Sequence, residues 1–181
     1  MTAAADDDAL ALLWAIDRRS RENAFGLPER VETEPTWEAV GFRLGGVNFL
    51  SSMEEVTELL SPPRLTAVPG AQDWVKGIAN VRGNLLPVMD LAGFLGFSAV
   101  RMGRRTRVLV VRSGALAAGL LVDEVLGIMH LREEERSAEA VHIGGRAAKF
   151  LRGAYRQDGK LWGVFTMQGV LESAEFIEVA L

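Results

Sequence analysis

The sequence contains no cysteine, and it is poor in the other side chains that most often carry catalytic chemistry. Its 181 residues include two histidines, His130 and His142, and one tyrosine, Tyr155. The lack of cysteine excludes a disulfide framework, a thiolate metal site, an iron–sulfur cluster and a cysteine nucleophile. A proton-transfer enzyme is left with a thin stock of catalytic groups.

Long hydrophobic runs and excess positive charge are also missing. No apolar run approaches the ~20 residues of a membrane-spanning helix, and Asp6, Asp7 and Asp8 stand where a signal peptide would carry positive charge. The net charge is −4 and the pI is 5.3, whereas a dedicated nucleic-acid binder is more often basic. We therefore expect a cytoplasmic protein that does not insert into membranes and does not bind nucleic acid.

What the sequence does contain is an ordinary globular composition with an excess of glycine. Hydrophobic residues make up 49% and charged residues 24%, and there are 19 glycines. A chain of this length folds as one domain or as two small lobes that share a core.

Residues 1–25 are predicted to form a helical leader. Leu10, Leu13 and Trp14 fall at helical spacing, but the apolar face is short. The segment is either a frayed leader or a helix that docks on the main domain or on a partner. Residues 26–36 contain prolines and charges without periodicity, which indicates a linker.

From residue 37 to about residue 172, turn signals recur at short intervals with short apolar runs between them. This spacing predicts a mostly β protein, most economically two small packed barrels. An alternating α/β fold would need a helix between each pair of strands, and only residues 90–97 and 166–173 offer room for short helices. Residues 173–181 are expected to be a C-terminal tail.

The sequence offers few residues for catalytic or metal chemistry, and we predict no catalytic, metal or cofactor site. Neither histidine has a partner at metal-ligand spacing, and Asp123 and Glu124 are neighbours that a strand points to opposite faces. A basic loop contains four arginines around Gly103. It could be a solvated hairpin tip, a phosphate site or a contact for an acidic partner. Its arginines are Arg101, Arg104, Arg105 and Arg107.

The most informative stretch is residues 69–97, which predicts a hairpin followed by a short helix. We expect strands at 74–81 and 85–89, joined by a turn at Gly83-Asn84. Asp90 is then placed to cap the following helix.

Three residues of this hairpin carry further expectations. Pro87 predicts an edge strand, because proline cannot donate to a strand ladder, and Gly77 allows another backbone to approach closely. Arg82, at the turn, is either an exposed charge or reaches back to a carboxylate or carbonyl and orders an interaction surface.

These segments resemble the CheW family, the scaffold proteins of bacterial chemosensory arrays, over residues 38–172. The resemblance lies in several motifs that follow one another in the family's order. They are Phe42-Arg43-Leu44-Gly45, residues 55–59, the hairpin from Lys76 to Gly83, residues 86–91, residues 119–125 and residues 151–171.

The resemblance implies two packed five-stranded SH3-like barrels and an adaptor without catalytic activity or cofactor. Such a protein bridges the cytoplasmic tip of a methyl-accepting chemoreceptor and the regulatory domain of a CheA-type histidine kinase. By motif position, six residues are implied to form the partner-binding surfaces. They are Val56, Glu58, Lys76, Gly77, Asn80 and Arg82.

Within the family, the leader and the amino-acid sequence of the hairpin resemble those of members that control type IV pili and twitching motility. A member that serves flagellar chemotaxis, or less closely a general β-barrel interaction module, stays the alternative. Two segments depart from the family pattern. Residues 49–53 replace a glycine-centred strand, and Phe165-Thr166-Met167 occupies a place where many members carry an aspartate.

Overall fold

A computed structural model describes residues 12–19, 36–139 and 141–180 of the chain. Residues 12–19 form a helix (α1), which confirms the helix predicted in the leader over that range. Leu12, Leu13, Trp14 and Ile16 on this helix are all more than half exposed. The other leader residues and most of the predicted linker lie outside the described residues.

Residues 36–180 contain eleven strands and three short helices within the described ranges. The strands are β1 Thr36–Leu44, β2 Val47–Ser52, β3 Val56–Leu60, β4 Val75–Val81, β5 Asn84–Asp90, β6 Arg107–Ser113, β7 Leu116–Val122, β8 Glu124–Arg132, β9 Arg136–Ser137, β10 Leu151–Gln157 and β11 Lys160–Phe165. The helices are α2 Leu91–Leu95, α3 Met167–Leu171 and α4 Ala174–Ala180. None of the helices that the structure describes is long and apolar enough to cross a membrane.

The strands form two sheets, which we call the large sheet and the small sheet. The large sheet has the order β8-β1-β2-β11-β10-β9 and the small sheet β3-β6-β7-β5-β4. Most neighbours are antiparallel, but β2 pairs with β11 and β5 pairs with β7 in parallel. The mostly β architecture is thus confirmed, with two sheets in place of two closed barrels. The large sheet holds six strands rather than five because the two-residue strand β9 extends it.

One large apolar cluster joins the two sheets and the short helices. It takes Phe42 and Phe49 from the large sheet, Leu109 and Leu120 from the small sheet, and Phe94 from α2, each fully buried. Each sheet also has a smaller cluster of its own. The shared cluster fixes one sheet against the other, since burial of apolar area is the main stabilising contribution.

Two findings go beyond the sequence interpretation or correct it. Residues 174–180, for which no element was expected, form α4, and its Phe176 stacks on Trp74 with ring centroids 5.7 Å apart. The edge position predicted for β5 is wrong, because β5 lies between β4 and β7. Pro87 is tolerated there because the β5–β7 pairing covers only Val88 to Asp90.

Candidate functional site

The predicted hairpin is present, but its turn lies one residue earlier than expected. Val81 pairs with Asn84, so the two turn residues are Arg82 and Gly83. Both have positive φ, 51° for Arg82 and 87° for Gly83, which is the pattern of a type I′ turn. The side chain of Asn80 steadies the turn, since its Oδ1 accepts a hydrogen bond of 2.8 Å from the Gly83 amide.

Arg82 reaches from this turn to a carboxylate on another strand. Its Nη2 lies 2.7 Å from Oε1 of Glu58, while 79% of the arginine side chain remains exposed. Glu58 belongs to β3, and β3 and β4 are the outer strands of the small sheet. The ion pair therefore connects the two ends of the sheet, and it confirms the second of the two interpretations of Arg82 as far as the carboxylate is concerned.

Exposed apolar side chains accompany the ion pair. Leu85 follows the turn and is 75% exposed. Leu59 follows Glu58 in β3 and is 49% exposed, on the face of the strand opposite Glu58. Neither leucine is among the six residues predicted to form the partner-binding surfaces. The available signal was a large aliphatic residue directly beside a turn, where a polar residue would be the ordinary choice.

Gly77 has a structural role beneath the same hairpin. Its φ is 134°, and an added Cβ would lie 2.3 Å from the carbonyl oxygen of Thr66. Thr66 and Ile78 exchange two backbone hydrogen bonds of 2.9 Å. The close backbone approach predicted at Gly77 is thus confirmed, and the residue itself is buried.

Lys76 is held by a buried carboxylate. Its Nζ lies 3.3 Å from Oδ2 of Asp90, whose side chain is fully buried. Asp90 also accepts hydrogen bonds of 3.0 Å from the amides of Gly93 and Val100. The first of these bonds is the helix cap predicted for Asp90. The link to Lys76 was not predicted.

A β-bulge separates Val56 from Glu58. Val56 pairs with Val111 and Glu58 with Val110, so Thr57 is the extra residue, and its Oγ1 donates 3.0 Å to the Val110 carbonyl. Paired residues share a face of the sheet and successive residues alternate. Val56 and Glu58 therefore lie on opposite faces, although a regular strand would put them on one.

The remaining candidate residues do not form a common site, although Nη1 of Arg105 in the basic loop lies 3.8 Å from Oε2 of Glu124. Asp123 accepts 2.8 Å from the Gly45 amide, whereas Glu124 pairs with Arg43 at 3.0 Å. The basic loop partly satisfies itself, because Arg107 donates to two backbone carbonyls within the loop. Among the described residues, no group of three or more acidic or histidine side chains could hold a metal ion.

Comparison with known proteins agrees with the fold. The family model of the CheW-like domain matches residues 38–175, and the chain belongs to this family. Its class is therefore that of the chemosensory adaptors of the CheW type.

Particular relatives refine that class. The chain is 41% identical to protein PilI of Pseudomonas aeruginosa over 170 residues, which covers 94% of this chain and 95% of that protein. It is 35% identical to protein FrzA of Myxococcus xanthus over 100 residues, or 55% of this chain and 62% of FrzA. The crystal structure of the scaffolding protein TtCheW from Thermoanaerobacter tengcongensis superposes with a TM-score of 0.67 at 23% identity, over 78% of this chain and 96% of TtCheW. This last likeness supports the fold.

Proposed function

We propose that this protein is a non-catalytic adaptor that couples methyl-accepting chemoreceptors to a CheA-type histidine kinase in the cytoplasm, in a system that controls type IV pili. The observation that carries the proposal is the similarity to PilI, which extends over 94% of the chain and includes the hairpin. The receptor would bind through its cytoplasmic tip and the kinase through its regulatory domain.

We assign the partner-binding surface to the place where the Arg82–Glu58 ion pair joins the two outer strands of the small sheet. Arg82, Asn80 and Leu85 lie at the β4–β5 turn, and Glu58 and Leu59 lie on β3. Large exposed aliphatic side chains beside an arginine are typical of protein–protein contacts, in which apolar area provides affinity and charge provides orientation. Lys76 and Gly77 support this surface from beneath.

Val56 would contribute differently from Glu58. It is half-buried and packs against the cluster shared by both sheets, so a change there would alter how the start of β3 packs on that cluster. A partner that contacts the outer strand β3 would be affected by both residues, although they lie on opposite faces of the small sheet.

The adaptor would act by geometry rather than by chemistry. A receptor and a kinase held on one rigid body are coupled, because a change in the receptor changes the relative free energies of the kinase conformations. The shared apolar cluster supplies the rigidity that this requires. The carboxylates near the hairpin are already engaged, Asp90 in a helix cap and Glu58 in an ion pair.

Binding measurements with the purified full chain test the proposal. We expect the regulatory domain of the CheA-type kinase from the same organism to bind, and the Arg82→Ala variant to bind at least tenfold more weakly. Arg156→Ala is the matched control. Arg156 lies on β10 of the large sheet and forms an exposed ion pair with Glu139, with 2.7 Å between Nη2 and Oε2. Absence of binding by the unmodified chain would overturn the adaptor proposal.

A deletion strain separates the pilus system from flagellar chemotaxis. We expect loss of this protein to abolish twitching motility and to leave swimming chemotaxis intact. The opposite pattern would assign the protein to the flagellar system and leave the adaptor role standing.

A further inference from the structure

The chain passes from the large sheet to the small sheet through a short 3-10 turn, Met53–Glu55, between β2 and β3. Glu55 is the last residue of this turn and directly precedes Val56. Its carboxylate accepts hydrogen bonds from three groups of the protein.

One of the three donors lies on β2, before the 3-10 turn, and the other two lie at the start of α3. The hydroxyl of the fully buried Ser51 donates 3.0 Å to Oε2 of Glu55. The hydroxyl of Thr166 donates 3.0 Å to Oε1, and the amide of Met167 donates 2.6 Å to Oε2. We call these four residues the Glu55 latch.

Thr166 connects Glu55 to α3 through two hydrogen bonds. It is the N-cap of α3, and its Oγ1 accepts a hydrogen bond of 3.1 Å from the Gly169 amide while it donates to Glu55. α3 in turn packs against β6 and β7 of the small sheet, with Met167, Val170 and Leu171 buried. The latch thus joins the start of β3 to a helix that is fixed on the neighbouring strands.

We propose that Glu55 is a positioning residue for partner binding, which fixes the start of β3 and thereby the placement of Val56 and Glu58. This inference rests on the proposed adaptor function. A carboxylate with three donors is held more firmly than an ordinary surface side chain, because charge-assisted hydrogen bonds are stronger than neutral ones. The Thr57 bulge lies two residues further along, so any movement of Glu55 is passed directly to the residues on either side of the bulge.

The chemistry of the latch allows a test by exchange. Thr166→Asp keeps a good N-cap for α3, because aspartate accepts from helix amides as well as threonine does. It removes the hydroxyl donor, however, and places a second carboxylate against Glu55. Glu55→Gln in the same chain replaces that repulsion with an amide that can donate to Asp at position 166, while its oxygen still accepts from Met167.

Four forms of the full chain are compared for affinity to the kinase regulatory domain: unmodified, Thr166→Asp, Glu55→Gln and the double variant. We expect Thr166→Asp to weaken binding about tenfold, which lies within the coupling seen between contacting polar groups. Glu55→Gln alone is expected to change affinity less than threefold, and the double variant to bind within threefold of the unmodified chain.

The amide resonances of Glu58 and Leu59 provide a readout that a loss of overall stability alone would not change. They should move in Thr166→Asp and return in the double variant, at a temperature where every variant is folded. If Thr166→Asp binds as tightly as the unmodified chain, or if the double variant binds as weakly as Thr166→Asp, the positioning role is wrong. If the unmodified chain does not bind the kinase domain, the adaptor proposal fails, and the resonances alone decide whether the latch positions β3.

Discussion

Nη2 of Arg82 lies 2.7 Å from Oε1 of Glu58, and this ion pair joins the two outer strands of the small sheet. The hydrogen-bonded ladder ends at these strands, so their side chains make the connection that the backbone does not. Because the guanidinium is largely exposed, the pair contributes little to stability. Its position is better suited to holding the β4–β5 turn, beside which Leu85 is exposed, against β3.

The first prediction separates stability from binding at this pair. Arg82→Ala and Glu58→Ala should each change the free energy of unfolding by no more than about 1 kcal/mol, as for other exposed ion pairs. Each should weaken binding of the kinase regulatory domain about tenfold or more, as interface arginines commonly do. Chemical denaturation and calorimetric titration measure the two quantities.

A charge exchange provides the control for that prediction. The double variant Arg82→Glu with Glu58→Arg keeps an ion pair in the same place, so it should preserve the connection between the outer strands. If single and exchanged variants all bind as the unmodified chain does, the partner-binding surface lies elsewhere.

Local features of the hairpin could be predicted from the sequence, because they depend on residues close together in the chain. The cap by Asp90, the need for glycine at position 77 and the general run of β4 and β5 belong to this class. The turn was misplaced by one residue, because Arg82 adopts a positive φ that non-glycine residues rarely adopt and that no pattern announces.

Features that depend on distant residues could not be predicted. The parallel pairing that makes β5 an inner strand joins it to β7, which lies well beyond it in the chain. Thr166 and Glu55 are 111 residues apart, and their hydrogen bond follows from the packing of both sheets. Departure from the family pattern at Thr166 was visible in the sequence, but its partner was not.

The second prediction concerns Gly77. Gly77→Ala would force a Cβ to within 2.3 Å of the Thr66 carbonyl oxygen at a φ of 134°. We expect a loss of at least about 2 kcal/mol in the free energy of unfolding, from steric overlap and backbone strain together. Thermal and urea unfolding measure the loss.

Gly83→Ala is the matched control for this substitution. Gly83 also has a positive φ, 87°, but an added Cβ there meets nothing within 4 Å. Its cost should be about 1 kcal/mol, from the left-handed conformation alone. Equal losses for the two variants would show that the contact with Thr66 does not matter.

The third prediction concerns the link between Asp90 and Lys76. Asp90→Ala removes a fully buried carboxylate that accepts two amides and pairs with Lys76. We expect a loss of about 3–5 kcal/mol in the free energy of unfolding, as when a buried pair is broken. Lys76→Met should cost less, about 1–2 kcal/mol, because Asp90 keeps both amide hydrogen bonds.

Lys149→Met tests whether the burial of Asp90 matters. Lys149 pairs with Glu175 at 3.0 Å, but both side chains are exposed, so its replacement should cost no more than about 1 kcal/mol. A Lys76→Met variant that is no less stable than Lys149→Met would contradict the supporting role of Lys76.

The fourth prediction concerns the dependence of stability on pH. The pKa of the Tyr155 hydroxyl is raised above its ordinary value of 10.0, chiefly because burial disfavours the phenolate and also because Glu133 carries a negative charge. The unfolded chain ionises at the ordinary value, so the stabilisation by neutral Tyr155 is fully present below about pH 10 and is lost as the pH rises further. Tyr155→Phe cannot ionise and should escape this loss.

Urea unfolding of the unmodified chain and of Tyr155→Phe at a series of pH values measures the effect. Tyr155 is 7% exposed and stacks on Trp37 with ring centroids 5.4 Å apart, and phenylalanine can keep this contact. The difference in unfolding free energy between the two proteins should be constant between about pH 7 and pH 9 and should move in favour of Tyr155→Phe above about pH 10. A difference that stays constant to about pH 11 would mean that Tyr155 ionises equally well in the folded and unfolded chain, and that its burial does not govern its titration.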